Sequence, residues 1–138
     1  MIIVDTNVLS ALMRLDRESA VRNWLDKQVI DQLRVSAPTM FEIHYGLSAL
    51  PVGRRRREME ARLADVIADL FRNKVIPLDN EAAQSAGRAH AEHVAIGRNV
   101  DVPNSQIAGV ARLLGATIAT RNTADFAGLG IPLINPWE

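Results

Sequence analysis

The chain has 138 residues, of which 16 are basic and 16 acidic, so its formal net charge is zero and no overall field attracts it to nucleic acid or to a membrane. This length suits one domain, residues 1–138, and an aromatic fraction of only 4% requires a mainly aliphatic core. Cysteine is absent, which excludes disulfides and thiolate metal sites.

The first residues argue against a secretory signal. The chain opens Met-Ile-Ile-Val-Asp, with an acid at position five and no basic leader region. No apolar run approaches the ~18 residues that a membrane-spanning helix needs. We therefore expect a cytoplasmic protein that makes no contact with a membrane.

Short apolar runs alternate along the chain with longer segments of helical periodicity. The runs that predict buried strands are residues 2–4, 35–37, 75–78, 117–119 and 132–134. The apolar stripes that predict helices are Ala20, Trp24, Leu25, Val29 and Leu33; Met40, Ile43, Leu47 and Leu50; Leu63, Val66, Ile67 and Leu70; the mostly small Ala82, Ala86, Ala89 and Val94; and Ile107, Val110, Ala111 and Leu114. Strands that alternate with helices predict an α/β fold with a mainly parallel sheet.

Asp5 is the first polar residue after a predicted strand, and Thr6 and Asn7 follow it. In open parallel sheets, ligands bind beyond the carboxyl ends of the strands, so this position suits a functional residue. Asp, Thr and Asn are also the residues that cap helices. Both interpretations of Asp5 stay open on the sequence alone.

Glu42 falls in the first turn of the helix that is predicted to follow the strand at residues 35–37. Thr39 and Glu42 have the spacing of a capping box, in which the glutamate folds back onto its own backbone. A metal ligand at this position would instead point into a cleft. The sequence does not separate these two alternatives.

Two further polar segments lie near predicted strand ends, one around Asn104 and one from Thr120 to Asp125. If one edge of the sheet gathers these segments with Asp5 and Glu42, several acidic oxygens meet and repel one another unless a cation holds them. Oxygen ligands without cysteine suit Mg²⁺ or Mn²⁺. Such ions activate water and clamp a phosphate during its displacement.

Five segments in order along the chain resemble PIN-domain toxins of the VapC and Fit type, which are the toxin halves of toxin–antitoxin pairs. They are IVDTN at residues 3–7, FEIxxG at 41–46, QIAGxA at 106–111, ATRNxxDF at 119–126 and NPW at 135–137. The resemblance implies a three-layer α/β/α sandwich, a homodimer and an acidic pocket for Mg²⁺ or Mn²⁺. The implied activity is endoribonuclease cleavage of RNA, restrained by a cognate antitoxin that also binds operator DNA.

By position in that family, Asp5 and Glu42 are expected to bind the metal, and Asp125 to complete the catalytic pocket. The residues expected to support this pocket are Thr6, Asn7, Thr120, Arg121 and Asn122. Hydroxyl and amide groups beside a metal orient its ligands or its water. An arginine beside an acidic pocket balances charge or holds a phosphate.

Asn104 departs from the family pattern, which usually has an aspartate at this catalytic and metal-binding position. Its carbonyl oxygen can approach a cation, but it brings no negative charge and its NH₂ end repels metal. Three explanations stay open: an introduced change that silences a toxin, a natural loss, and a tolerated variant with weaker metal affinity. The alternative function is a catalytically silent dimeric module that binds an antitoxin or RNA. Asp101 is a less well-placed substitute for the missing acid.

Two charged groups of residues remain. Arg54, Arg55, Arg56 and Arg57 open a predicted helix, and we expect a solvated face. Because four cations there oppose the helix dipole, RNA phosphate or an acidic segment of the antitoxin is the alternative partner. For His90 and His93, which flank Glu92 on another helix, we also expect a solvated face, because no third metal ligand is evident.

Overall fold

A computed structural model describes residues 1–14 and 19–138. The five strands are β1 (Ile2–Val4), β2 (Leu33–Ser36), β3 (Val75–Ile76), β4 (Thr117–Ala119) and β5 (Leu133–Ile134). The helices are α1 (Thr6–Met13), α2 (Ser19–Asp26), α3 (Ala37–Ala49), α4 (Arg54–Leu70), α5 (Asn80–Ala95) and α6 (Val102–Leu114), with short 3₁₀ turns at Ile30–Gln32 and Thr123–Phe126. None of the described helices is long and apolar enough to cross a membrane.

All strand pairs in the sheet are parallel, and the strand order is β3-β2-β1-β4-β5. Strands β2 and β3 therefore lie on one side of β1, and β4 and β5 lie on its other side. Such a reversal beside the central strand opens a crevice at the carboxyl ends of the strands. Asp5 directly follows β1 and so lies at this crevice.

The sheet is covered by helices on both faces, as the α/β prediction requires. Val4 and Val35 belong to a core cluster with residues of α1, α3 and α4. Ile3 and Ile118 belong to a second cluster with residues of α5 and α6. Because successive strand residues point to opposite faces, β1 and β4 each contribute to both cores. This arrangement is the three-layer α/β/α sandwich that the sequence predicts.

Helices α5 and α6 pack against each other through small residues. Ala82, Ala86 and Ala89 are buried on α5, and Gly109 is buried on α6. A Cβ placed on Gly109 would lie 2.3 Å from both the Cα and the backbone nitrogen of Ala86. Small residues on both helices thus let the two backbones approach closely.

Several predicted boundaries are wrong. The apolar stripe predicts that Leu33 lies on a helix, but α2 ends at Asp26 and Leu33 is the first residue of β2. The reason is that Leu33 pairs with Ile2 in the parallel ladder between β1 and β2. Residue 37 opens α3, and residues 77, 78 and 132 lie outside the strands. Val94 is 56% exposed, whereas the face of Ala82, Ala86 and Ala89 continues to the buried His93.

The prediction of a solvated face for His90 and His93 is therefore wrong. His93 is 1% exposed, with Nε2 lying 3.0 Å from the carbonyl oxygen of Ala127. His90 is half-buried, and its Nδ1 lies 2.7 Å from the Oγ of Ser105 on α6. His90 thus contacts α6, and His93 contacts the residue that follows the 3₁₀ turn Thr123–Phe126.

We expect Gly109→Ala to lower the free energy of unfolding by about 3 kcal/mol, because the added methyl group meets backbone atoms that cannot move aside. Gly87→Ala is the matched control on α5, since a Cβ there meets nothing within 4 Å. It should stabilise the helix by up to about 1 kcal/mol. Urea denaturation of both variants measures the difference, and equal midpoints would contradict the close contact.

Candidate active site

Asp5 is held from both sides of the crevice. Its backbone N–H donates to the carbonyl of Ala119 at 2.9 Å, which continues the pairing of β1 with β4. Its Oδ1 accepts from the backbone N–H of Thr6 at 2.7 Å, so the side chain caps α1. Its Oδ2 accepts from the hydroxyl of Thr120 at 2.7 Å and from the Asn7 amide at 3.2 Å. The carboxylate is 4% exposed and is both a helix cap and a residue of the crevice.

The loop after β4 supports this carboxylate. The hydroxyl of Thr120, which is fully buried, donates to Asp5 and accepts from the backbone N–H of Asn122 at 3.0 Å. The side-chain oxygen of Asn7 accepts from the backbone N–H of Arg121 at 3.2 Å. The structure thus brings together Asn7, Thr120, Arg121 and Asn122 in one network around Asp5.

Glu42 joins the same edge from the β2 side. Helix α3 begins at residue 37, and its cap is Ser36, whose Oγ accepts from the backbone N–H of Thr39 at 3.5 Å. Glu42 therefore lies in the second turn, and the predicted capping box is wrong because Ser36 caps the helix three residues earlier. The Glu42 Oε1 accepts from the hydroxyl of Thr6 at 2.7 Å. The carboxylate points towards the residues that follow β1, not back onto its own backbone.

Helix α6 places Asn104 at the opposite side of the crevice. Its cap is Asp101, whose Oδ1 accepts from the backbone N–H of Asn104 at 2.8 Å. The Asn104 side-chain NH₂ donates to Asp125 Oδ2 over a long 3.5 Å. A groove of about 320 Å³ is lined by Arg98, Asn99, Val100, Asp101, Asn104 and Asp125.

The acids influence one another electrically. Burial raises the pKa of Asp5, and the charge of Asp125 adds to this rise, while hydrogen bonds from Thr120, Thr6 and Asn7 oppose it. Burial also raises the pKa of Glu42; the hydrogen bond from Thr6 opposes this effect, and the charges of Asp5 and Asp101 add to it. Four carboxylates thus lie at one edge of the sheet, where the charge of Asp125 disfavours the ionisation of Asp5, and the charges of Asp5 and Asp101 disfavour that of Glu42.

The donors at this edge are carboxylate, amide and hydroxyl oxygens, which is the chemistry that Mg²⁺ and Mn²⁺ prefer. Within residues 1–14 and 19–138, no group of three or more His, Cys, Asp or Glu is placed to hold one ion. Mg²⁺ is commonly bound through only one or two carboxylates and keeps several waters. The pair Asp5 and Glu42, joined through Thr6, fits such a site.

The remaining candidates lie elsewhere or take other roles. Arg54 forms an ion pair of 2.9 Å with Glu58, and Arg56 forms one of 2.9 Å with Glu60, each with a glutamate one turn further along α4. This arrangement fits the predicted solvated face. Sequence reasoning missed Arg98, which lines the groove and donates to the Ala124 carbonyl. No local motif marks Arg98, because it follows a helix end and reaches the groove through the fold.

The chain resembles known proteins over its whole length. The PIN domain family model matches residues 2–130. The chain is 36% identical over 138 residues to the VapC ribonuclease Y4jK of Sinorhizobium fredii, with 100% of this chain and 99% of the relative covered. It is 29% identical over 138 residues to Toxin FitB of Neisseria gonorrhoeae, with the same coverage.

A solved structure of FitAB bound to an IR36 DNA fragment has the same fold. Its TM-score is 0.90 at 28% identity, and the match covers 100% of this chain and 96% of that one. The chain belongs to the PIN domain family.

Proposed function

We propose that this protein is a divalent-metal-dependent endoribonuclease and the toxin of a toxin–antitoxin pair. The observation that carries the proposal is the set of four carboxylates, Asp5, Glu42, Asp101 and Asp125, gathered where the sheet order reverses. Their mutual repulsion favours a bound cation. The similarity to a VapC ribonuclease supports RNA as the substrate.

The chain's own residues would prepare the site for the reaction. When bound, Mg²⁺ or Mn²⁺ supplies an activated water and neutralises charge on the phosphate. Asp5 and Glu42 are the proposed metal ligands, held in place by hydroxyl donors from Thr120 and Thr6. Because Asp5 is buried and accepts three hydrogen bonds, its carboxylate is oriented before any ligand arrives.

Asn104 would weaken this site and not abolish it. An aspartate at this position would face Asp125 as a second negative charge, whereas the asparagine NH₂ donates to that carboxylate. With asparagine at position 104, the repulsion between two carboxylates at positions 104 and 125 is absent. A bound cation therefore has less repulsion to relieve, and the free energy gained when the metal binds is smaller. Its carbonyl oxygen remains a neutral metal ligand or a contact to the metal's water.

We propose a cognate antitoxin as the protein partner, with operator DNA bound through the complex. The support is the close structural likeness to FitAB bound to DNA. We also propose a homodimer. Phe41 and Tyr45 lie one turn apart on α3 and are 69% and 71% exposed. Aromatic side chains are enriched in protein interfaces, so this face suits a second copy of the chain.

The alternative function is a binding module without catalysis. Asn104 favours it because position 104 lacks a charge. A second reason is that, among the described residues, no three of the acids are placed to hold one ion. Such a module would dimerise and bind its antitoxin or RNA with no metal-dependent cleavage. Restoring the acid separates the two functions.

We expect Asn104→Asp to raise Mg²⁺- or Mn²⁺-dependent cleavage of a mixed pool of structured RNAs by at least about tenfold, since the added carboxylate strengthens metal binding. Asp5→Ala in the same background should remove the activity. Cleavage is measured by gel electrophoresis with and without EDTA. An unchanged rate in Asn104→Asp would show that position 104 does not contribute to the metal site. No cleavage in any folded variant would favour the binding module.

We expect Glu42→Gln to raise the free energy of unfolding at pH 7 in EDTA by about 0.5 kcal/mol, a value kept small because water screens this half-buried group. Folding raises the pKa of Glu42. The contribution of Glu42 to the free energy of unfolding is therefore most favourable below the pKa of the unfolded state, and it is lost as pH rises through the pKa of the folded state. The gain should therefore vanish near pH 3, where the carboxyl is neutral.

The matched control for this stability measurement is Glu81→Gln. Glu81 is an exposed acid in the first turn of α5, where a negative charge is favourable, so no gain is expected. Added Mg²⁺ should raise the melting temperature of the parent chain more than that of Glu42→Gln. Equal stabilisation of both chains by Mg²⁺ would argue against Glu42 as a ligand.

We expect Tyr45→Arg to shift the protein from dimer to monomer in analytical ultracentrifugation, because a buried arginine without a partner opposes association. The control is Val94→Arg, a similar change at an exposed apolar residue of α5 in the other helical layer. Val94→Arg should leave the sedimentation coefficient unchanged. A dimer in both variants would move the interface away from α3.

A further inference from the structure

Arg121 is an exposed cation fixed at the edge of the acidic crevice. It follows Thr120, whose hydroxyl donates to Asp5. Its own backbone N–H donates to Asn7, and the Asn7 side chain donates to Asp5 at 3.2 Å. The position of the Arg121 backbone is thus tied to the buried carboxylate through two hydrogen bonds.

The Arg121 side chain stacks on Trp137. The guanidinium carbon lies 4.8 Å from the centre of the indole ring. Trp137 follows β5 and packs partly buried against the core cluster that contains Val4 and Ala119. Its backbone N–H donates to Asn135 at 3.0 Å. This cation–π contact holds the guanidinium against the ring, and the N–H groups of its planar fork are its hydrogen-bond donors.

The charge of Arg121 is not neutralised by the acids nearby. Arg54, Arg56 and Arg112 each pair with a glutamate, whereas Arg121 forms no ion pair with any residue of the described chain. A planar guanidinium with free in-plane donors matches the oxygens of a phosphate. Arg121 therefore has the charge and the donor groups of a phosphate-binding residue.

An RNA strand needs such a cation here. The net charge of the protein is zero, so no overall field attracts a polyanion, and the carboxylates at the crevice repel one. Arg98 supplies a cation in the groove on the α6 side. Arg121 supplies a second cation on the β5 side. Its partner Trp137 packs on the core cluster that contains Val4 and Ala119, on the other face of the sheet from α6. The two arginines flank the acids from the two helical layers.

We propose that Arg121, held by Trp137, binds a backbone phosphate of single-stranded RNA beside the metal site and thereby positions the strand. This inference rests on the proposed function for its substrate. It assigns Arg121 to substrate binding and Trp137 to positioning the guanidinium.

The test is RNA binding without cleavage. A fluorescently labelled 12-nucleotide single-stranded RNA of mixed sequence is titrated with the parent chain in EDTA at several salt concentrations. Arg121→Ala should weaken binding about five- to tenfold, as expected for one charge-assisted contact at an exposed site. The slope of log K against log salt should become shallower by about 0.7, the value for one phosphate contact on a single strand.

Arg72→Ala is the matched control, since it removes one exposed arginine from the turn before β3, at the amino-terminal edge of the sheet. It should change neither the affinity nor the slope. Arg121→Lys should keep the slope but recover only part of the affinity, because an ammonium group lacks the planar fork. Trp137→Phe should also keep the slope and lose affinity, with thermal unfolding used to confirm that both variants fold.

Equal binding by Arg121→Ala and Arg72→Ala would overturn the inference, and so would a parent chain that does not bind the RNA. Cleavage by Asn104→Asp tests the proposed function separately. Arg121-dependent binding without cleavage in that variant would leave a phosphate-binding surface on a protein that is not a nuclease. Cleavage by that variant with no effect of Arg121→Ala on binding would leave the nuclease and remove the role of Arg121.

Discussion

The arrangement of the functional edge depends on the burial of the Asp5 carboxylate between β1 and β4. A buried carboxylate is costly unless donors surround it, and here the donors come from the start of α1 and from Thr120 beyond β4. Asp5 and Thr120 are 115 positions apart in the chain, and β1 and β4 lie side by side only because the sheet order reverses next to β1. The same hydrogen bonds that compensate for burial hold Thr120 and the start of α1 against the crevice.

Close helix packing determines the other side of the crevice. Gly109 lets the backbone of α6 approach Ala86 on α5, and the His90–Ser105 contact of 2.7 Å joins the two helices one turn nearer the start of α6. Later residues of α5 meet earlier residues of α6, so the helices run in opposite directions. The start of α6, which carries Asn104, is therefore located by packing that does not involve the site itself. A change in the helix contact would move this residue relative to Asp125.

Electrostatic repulsion at the crevice is the cost of the proposed chemistry. Asp5 and Glu42 both have raised pKa values because they are buried and lie near other acids. Natural proteins tolerate such destabilised groups at functional sites because a ligand or ion relieves the strain. Asn104 reduces this cost by donating to Asp125 where an aspartate would repel it. Arg121 adds a positive charge and forms no ion pair with the acids of the described chain, so its charge is available to a ligand.

The local features can be predicted from the sequence alone: the apolar runs of β1 and β4, and the place of Asp5 at the end of a strand. Such features follow from short-range periodicity and backbone preference. The tertiary structure decided the direction of Glu42 and the burial of His93. Glu42 points towards Thr6 because Ser36 caps α3 and β2 lies beside β1. His93 is buried with its Nε2 beside the carbonyl oxygen of Ala127, 34 residues along the chain. These outcomes depend on contacts between distant segments, which local sequence patterns do not encode.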